Sequence, residues 1–225
     1  AWEQMVGQPE WQQYLKQIIH ECGTFGGALA IASEIPLGKG MGSSTSLVIA
    51  VCKCLLGEDC KERAAEIEDI VNPGNIGIDF AVIWNESPVQ FIKGSEPKVI
   101  DLPKNLLDGA LLIDTGDPEQ QTPELVAWVT ERKEELSEPL EIIGNCSKKL
   151  QQNTDLSEIF KEHNKAQQSL GIVTDKAKEL ITKIEQEGGS AKVIGAGSRT
   201  GGCGMILAIN TDASLADNTY PIIRL

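Results

Sequence analysis

The sequence predicts an α+β fold, because strand-like and helical patterns occupy separate stretches of the chain. A strand-like apolar run at 27–33 leads through a glycine-rich loop into a helical run over 47–56. Short β-type runs separated by turn signals fill residues 88–116. Helical patterns follow over 123–186, and two last strand-like runs enclose a loop rich in glycine at 195–202.

Each predicted helix has its own local signal. Pro9 precedes apolar residues at helical spacing, which predicts a first helix over 9–21. Glutamate and alanine between Lys61 and Asp69 predict a third helix after the one at 47–56. Thr122 is interpreted as a helix cap because proline and glutamate follow it. The remaining helices are predicted at 123–136, 138–150, 156–169 and from Thr174 to Gly188. Strands are predicted at 89–92, 98–102, 110–116, 191–194, 204–209 and 220–225.

Composition and charge exclude several classes of function. Hydrophobic residues make up 41% of the 225 residues and charged ones 24%, a balance typical of globular proteins. No apolar run is long enough to span a bilayer and no signal peptide is recognisable, so we expect a cytoplasmic protein without a membrane partner. The net charge of −13 argues against nucleic acid as a partner. The six cysteines form no C-x-x-C pair and are expected to be reduced thiols, and two histidines offer few candidates for a Ser-His or Cys-His nucleophile.

The glycine-rich loop has the features of an anion-binding turn. Gly38, Gly40 and Gly42 allow positive φ and close approach of the backbone to a ligand. The hydroxyl residues at 43–45 fall where a helix begins, so hydroxyls, free N–H groups and the positive end of the helix dipole coincide. The same pattern also fits an ordinary strand-to-helix connection with an N-cap, and the residues alone leave both interpretations open. The lysine position excludes a Walker A loop, and the glycine spacing excludes a dinucleotide fingerprint.

A second candidate region contains two acidic residues on either side of a turn. Glu68 precedes the turn signal at 72–75, and Asp79 follows it beside Gly77. An acidic residue at this place is commonly a solvated loop residue or a helix cap. A carboxylate could also bind a cation or accept a proton. The pattern by itself favours the solvated loop residue or the helix cap.

Several motifs resemble one family of enzymes. The stretch Pro36-Leu-Gly-Lys-Gly-Met-Gly-Ser-Ser-Thr-Ser46 resembles the ATP-phosphate loop of the small-molecule kinases that include galactokinase, homoserine kinase, mevalonate kinase and phosphomevalonate kinase, where the usual form is Pro-x-x-x-Gly-Leu-Gly-Ser-Ser-Ala. The segments 114–126, 159–174 and 190–208 are similar to segments of mevalonate kinases, as is the spacing of Glu68 and Asp79. The resemblance implies two lobes: an N-terminal lobe like ribosomal protein S5 over 1–105 and a ferredoxin-like lobe over 106–225. Relatives have first strands and a catalytic lysine before the phosphate loop, and we expect both to be missing from this sequence.

The resemblance also implies roles for individual residues. Asp79 is the expected catalytic residue, and Ser44 and Glu68 are the expected Mg²⁺ ligands. The expected ATP-binding residues are Gly38, Lys39, Gly40, Met41, Gly42, Ser43, Ser44, Thr45, Gly195 and Gly197. The expected substrate residues are Gly77, Thr122 and Ala196.

The sequence departs from the family pattern in two places. Asn72 stands where mevalonate kinases have histidine, and Pro-Gly-Asn-Ile at 73–76 replaces Gly-Asn-Pro-Ser. The segment 198–200 lengthens the second glycine loop, and its Arg199 either contacts a phosphate or lies in solvent.

The function implied is phosphorylation of the primary hydroxyl of (R)-mevalonate by ATP with Mg²⁺, in isoprenoid synthesis. Alternatives within the superfamily are phosphomevalonate kinase and an L-threonine- or homoserine-type kinase. An alternative of another class is a nucleotide-binding homologue without activity. The expected partners are the small-molecule substrate and ATP, and relatives imply a homodimer.

Overall fold

The computed structural model describes residues 9–36, 38–152, 154–216 and 219–225. Runs of helices and runs of antiparallel strands occupy separate stretches of the described chain, as expected of an α+β protein, which confirms the predicted fold class. The chain divides into two compact units. The first contains the described residues up to 36 together with Gly42–Asp101. The second contains the loop residues Gly38–Met41 and the described residues from Leu102 onward.

The first unit is mainly helical. Its elements are α1 (Pro9–Cys22), α2 (Ser43–Leu56), α3 (Lys61–Val71), α4 (Ile78–Asn85), β1 (Val89–Gln90) and β2 (Lys98–Val99). The other three helices all pack against α2, and Ile18, Val48, Cys52 and Ile67 in their core are fully buried. Three neighbouring helices therefore fix the position of α2 and of its first residue, Ser43.

The strand predicted at 27–33 is wrong for this structure. Those residues form no regular element, and Ile31 is 45% exposed. A strand requires backbone hydrogen bonds to a neighbouring strand, and none of the described strands pairs with this run. Alternation of apolar and polar residues indicates which side chains share a face, but it does not show whether a neighbouring strand is available for pairing.

The second unit is a four-stranded antiparallel sheet with helices. Its elements are β3 (Leu111–Asp114), α5 (Thr122–Glu131), α6 (Ser137–Leu150), α7 (Leu156–Ser169), α8 (Asp175–Gln186), β4 (Ser190–Val193), β5 (Met205–Ile209), a 3₁₀ helix (Ala213–Ala216) and β6 (Ile222–Arg224). The strand order is β4-β5-β3-β6, and Ile113 pairs with both Ile206 and Ile222. With the 3₁₀ helix in the second helical place, this is the β-α-β-β-α-β arrangement of a ferredoxin-like lobe.

Two clusters of buried side chains hold this sheet to its helices, and both α7 and α8 pack on β4. The cluster under α8 contains Leu111, Ile181, Ile184 and Ile206, each 1% exposed or less. The cluster under α7 contains Phe160 with Ala110 and Ile209. In the described part of the chain, no helix is both long and apolar enough to cross a membrane.

Several predicted boundaries shift by a few residues. The strands predicted at 89–92 and 98–102 are shorter, since β1 and β2 each contain two residues. The cap of α5 is Gln121 and not Thr122, which is the first residue of the helix. The backbone N–H of Gln121 donates a hydrogen bond to Oε2 of Glu124 at 3.3 Å. The Glu124 side chain thus satisfies a backbone N–H group at the start of the helix. The helix also ends at Glu131, five residues before the predicted end, in a series of turns.

Candidate active site

The phosphate loop has left-handed backbone at all three of its glycines. Gly38, Gly40 and Gly42 have φ of 70°, 75° and 68°, a region that side chains with a Cβ rarely enter. Gly42 is the N-cap of α2, and the first helical bond is donated by Ser46 N–H to its carbonyl at 2.9 Å. Because this cap has no side chain, no capping oxygen competes for the N–H groups of Ser43, Ser44 and Thr45. The helix therefore begins at Ser43, as predicted, with a start that can bind an anion.

The side chain of Thr45 is buried and directed at Glu68. Its hydroxyl donates to Oε1 of Glu68 at 2.7 Å, and the two residues are each 3% exposed. Only the backbone N–H of Thr45 therefore remains for the predicted contact with ATP. The Ser44 side chain is half-buried at the same helix start.

The second carboxylate oxygen of Glu68 is buried without a partner. Oε2 has no hydrogen-bond donor among the described residues. Burial raises the pKa of Glu68, the bond from Thr45 and the nearby Asn72 side chain oppose the rise, and the negative charge of Asp79 adds to it. Asn72 does not reach Oε2 at hydrogen-bond distance, since its Nδ2 donates to Tyr14. An unpaired buried carboxylate oxygen is costly unless a proton or a cation satisfies it. Glu68 is thus suited to a hard divalent cation, although no cluster of three or more His, Cys, Asp or Glu side chains that could hold a metal occurs among the described residues.

Asp79 lies beside the N-cap of α2. It is in the first turn of α4, which starts after Gly77 at φ 85°. A Cβ placed on Gly42 would be 3.7 Å from Cγ of Asp79. The carboxylate is exposed, yet neighbouring protein atoms remove enough of its water to raise its pKa. Asp79, the phosphate-loop helix and Glu68 therefore meet within the first unit.

Tyr14 joins the loop at 72–76 to the start of α2. Its hydroxyl accepts a hydrogen bond from Nδ2 of Asn72 at 2.7 Å and donates to the carbonyl of Ser44 at 3.5 Å. Burial, together with the charge of Glu68, raises the pKa of Tyr14. The residue that replaces the family's histidine therefore ties down the chain at the helix start. The local sequence around Tyr14 predicts only a helix, because a partner 58 positions away leaves no local signal.

In the second unit, the phosphate-loop tip packs against the second glycine loop by backbone alone. A Cβ on Gly195 would lie 3.0 Å from Cα of Gly40, and one on Gly204 would lie 3.0 Å from the carbonyl oxygen of Lys39. Contacts this close leave no room for side chains at these glycines. The structure thus brings the predicted ATP-binding residues Gly40 and Gly195 together.

Lys39 is paired with two carboxylates. Its Nζ lies 3.0 Å from Oδ2 of Asp114 and 2.5 Å from Oδ1 of Asp117. Burial acts to lower the pKa of Lys39, but the hydrogen bonds and charges of the two aspartates outweigh it and raise the pKa. The ammonium group predicted to contact ATP is therefore engaged by the protein.

The extension at 198–200 forms an ordered part of the second glycine loop. Oε1 of Gln120 accepts hydrogen bonds from the Ser198 hydroxyl and the Arg199 N–H, each at 2.9 Å. The Arg199 guanidinium stacks 4.7 Å above the Trp128 ring. The residue is nevertheless exposed, which agrees with the predicted alternative that Arg199 lies in solvent. Thr122 is exposed two residues after Gln120.

Ala196 and Gly197 are fixed by neighbours of the same unit. Ala196 packs against the hydrophobic cluster that contains Leu125 and Ile172. A Cβ on Gly197 would come within 2.2 Å of the Ile172 carbonyl oxygen, so this position admits only glycine. Gly77, another predicted substrate residue, belongs to the first unit, whereas Ala196 and Gly197 belong to the second.

Comparison with known proteins identifies the superfamily. Residues 11–83 match the model of the GHMP kinases N terminal domain. Mevalonate kinase of Pyrococcus furiosus is 31% identical over 212 residues, which are 84% of this chain and 61% of that protein. The chain belongs to the GHMP kinase superfamily. Mevalonate kinase of Thermococcus onnurineus is 28% identical over 217 residues, which are 85% of this chain and 62% of that protein.

Solved structures agree with the GHMP kinase fold. A crystal structure of mevalonate kinase from Methanococcus jannaschii has a TM-score of 0.73 at 20% identity and covers 94% of this chain and 72% of that one. The L. major mevalonate kinase in complex with R-mevalonate has a TM-score of 0.64 at 16% identity and covers 92% of this chain and 70% of that one. This GHMP kinase chain spans about three fifths of the length of the P. furiosus relative.

Proposed function

We propose that the chain is an ATP- and Mg²⁺-dependent kinase that phosphorylates the primary hydroxyl of (R)-mevalonate. The observation that carries the proposal is the position of Asp79 beside Gly42, at the start of the helix that follows the phosphate loop. Phosphoryl transfer needs a carboxylate near the attacking hydroxyl and donors around the phosphates. The relatives' names supply the substrate.

The nucleotide phosphates would bind at the start of α2. The N–H groups of Ser43, Ser44 and Thr45 and the helix dipole favour negative charge there. These features require no cationic side chain at the loop tip, where Lys39 is already paired.

The chemistry of Glu68 fits a magnesium ligand. Its unpaired Oε2 and the Ser44 hydroxyl are hard oxygen donors of the kind Mg²⁺ takes, with phosphate oxygens and waters as the other ligands. When bound, the cation neutralises charge on the β- and γ-phosphates. Thr45 would hold the Glu68 carboxylate in one orientation.

Asp79 would act on the alcohol. As the substrate oxygen bonds to the terminal phosphorus and the bond to the ADP oxygen breaks, Asp79 accepts the hydroxyl proton. Its raised pKa makes the carboxylate a stronger base than a fully hydrated aspartate. Tyr14 and Asn72 would keep the neighbouring loop in place during the transfer.

Two other assignments within the superfamily, phosphomevalonate kinase and an L-threonine- or homoserine-type kinase, differ only in the alcohol accepted. A homologue that binds nucleotide without activity is favoured by one observation, the replacement of the family's histidine by an Asn72 that is bonded to Tyr14. Retention of both Glu68 and Asp79 favours an enzyme. Homodimer formation also belongs to the proposal and can be checked by light scattering.

A coupled assay of ADP release tests the proposal. We expect release to depend on (R)-mevalonate and on Mg²⁺, and not on phosphomevalonate, L-threonine, homoserine or galactose. Release with another alcohol would reassign the substrate, and no release with any of them would support the inactive homologue.

A matched variant tests the carboxylate. Asp79→Asn should lower kcat by at least about 10²-fold, the contribution typical of a positioned proton acceptor, while MgATP still binds. Glu86→Gln, an exposed carboxylate at the other end of α4, should leave kcat unchanged. Near-normal turnover of the Asp79 variant would contradict the proposed role.

A further inference from the structure

The ammonium group of Lys39 and the carboxylate of Asp114 form a half-buried ion pair inside the second unit. Their side chains are only 17% and 15% exposed. The other partner, Asp117, is 84% exposed, so water screens its contribution. The pair with Asp114 is therefore the one whose loss would leave a poorly hydrated charge without a partner.

Asp114 is itself fixed in position. It is the last residue of β3, in the middle of the sheet, and its Oδ1 accepts a hydrogen bond from the N–H of Gly116 at 2.8 Å. Its Oδ2 is the atom that meets Lys39. One carboxylate thus joins a rigid strand end to the tip of the phosphate loop.

The loop tip has few other means of attachment. Gly38 and Gly40 have no side chains that could anchor the tip. Both have left-handed backbone, and glycine can adopt many other backbone conformations at a similar free energy. The close contacts of Gly40 with Gly195 and of Lys39 with Gly204 involve backbone only. The Lys39 side chain is therefore the anchor that selects one conformation of the tip.

We infer that Lys39 is a positioning residue, which fixes the phosphate loop through Asp114, and not a direct ligand of the ATP phosphates. This inference deepens the proposed function and rests on it. A positioning role explains why two aspartates, Asp114 and Asp117, surround Lys39 in a loop that is proposed to bind the phosphates of ATP. It also assigns Asp114 a part in nucleotide binding without contact with the nucleotide.

The two roles of Lys39 predict opposite results for Asp114→Asn. If Lys39 positions the loop, the variant loses the anchor and the Kd for MgATP rises roughly tenfold, the size of effect expected for breaking a half-buried pair. If Lys39 binds phosphate, removing its competitor frees the ammonium group, and MgATP binds more tightly. Isothermal titration calorimetry with MgATP separates these outcomes.

A double-mutant cycle gives the second measurement. Lys39→Met should weaken MgATP binding to the same degree as Asp114→Asn, and the double variant should be no weaker than either single one. Lys39→Arg should restore most of the affinity, since a guanidinium can pair with the same carboxylate. The effect should fall on KM for MgATP and leave KM for the alcohol unchanged.

Two controls complete the design. Asp117→Asn, at the exposed partner, should change the Kd less than about threefold, and it tolerates substitution because it lies in solvent. Lys178→Met, which removes an exposed pair with Asp175 on α8, should bind MgATP as the parent protein does. Additive losses in the cycle, or tighter binding by Asp114→Asn, would overturn the inference. If the parent protein itself bound no MgATP, the proposed function would fail instead.

Discussion

Replacing Thr45 by valine tests the buried contact between the phosphate-loop helix and Glu68. Valine has nearly the shape of threonine but no hydroxyl, so the bond of 2.7 Å to Oε1 of Glu68 is lost with little change in packing. The acceptor is a carboxylate 3% exposed, and Oε2 already lacks a partner. A hydrogen bond to a charged group contributes about 1.5–3 kcal/mol, so we expect the free energy of unfolding to fall by that amount at neutral pH.

The effect should depend on pH in a defined direction. Burial already raises the pKa of Glu68 above its ordinary 4.5, and loss of the Thr45 donor raises it further. A folded-state pKa above the unfolded one means that stability falls as pH rises through the interval between them. The loss caused by Thr45→Val is therefore fully present above the folded pKa and shrinks as pH falls towards 4.5.

Urea unfolding from pH 8 to pH 5, followed by circular dichroism, measures both quantities. Thr45→Ser keeps a donor and should retain most of the stability. In a Glu68→Gln background the same change breaks only a neutral bond and should cost about 0.5–1.5 kcal/mol. An equal loss in both backgrounds, or a loss independent of pH, would show that the bond to an ionised Glu68 does not account for the effect.

Three further outcomes follow from particular contacts. Gly202→Ala places a Cβ 2.2 Å from the Gly116 backbone and should cost about 3 kcal/mol or more in urea unfolding, whereas Gly144→Ala meets nothing within 4 Å and should be neutral or stabilising. Gly42→Ala puts a Cβ 3.1 Å from Ile83 at φ 68° and should weaken MgATP binding in calorimetry at least severalfold; unchanged affinity would contradict the tight loop. Burial lowers the pKa of His163 to about 4 from 6.5, so the folded state resists protonation and stability should fall by on the order of 2 kcal/mol between pH 6.5 and 4. His163→Gln should flatten that part of the stability curve, and an unaltered slope would count against His163 as its source.

Local rules explain what could be predicted at the candidate site. The glycines at 38, 40 and 42 adopt positive φ, and the helix starts at Ser43, because both properties depend on neighbouring residues only. The turn signal at 72–75 correctly separates Glu68, near the end of α3, from Asp79. The sequence pattern did not predict α4, the helix in whose first turn Asp79 lies. The roles in catalysis and metal binding stay predictions.

The amino-acid sequence by itself determined the α+β class, the extents of most helices and the two glycine loops, since periodicity and turn residues act over a few positions. Tertiary structure alone decided which polar side chains meet. Thr45 bonds Glu68 across 23 positions, Asn72 bonds Tyr14 across 58, and Lys39 pairs with Asp114 on β3. It also decided that the apolar run at 27–33 forms no strand. A strand needs a neighbouring strand for its backbone hydrogen bonds, and the residues of the run do not determine whether one lies beside it. Contacts between distant residues depend on how elements pack, and no local pattern encodes them.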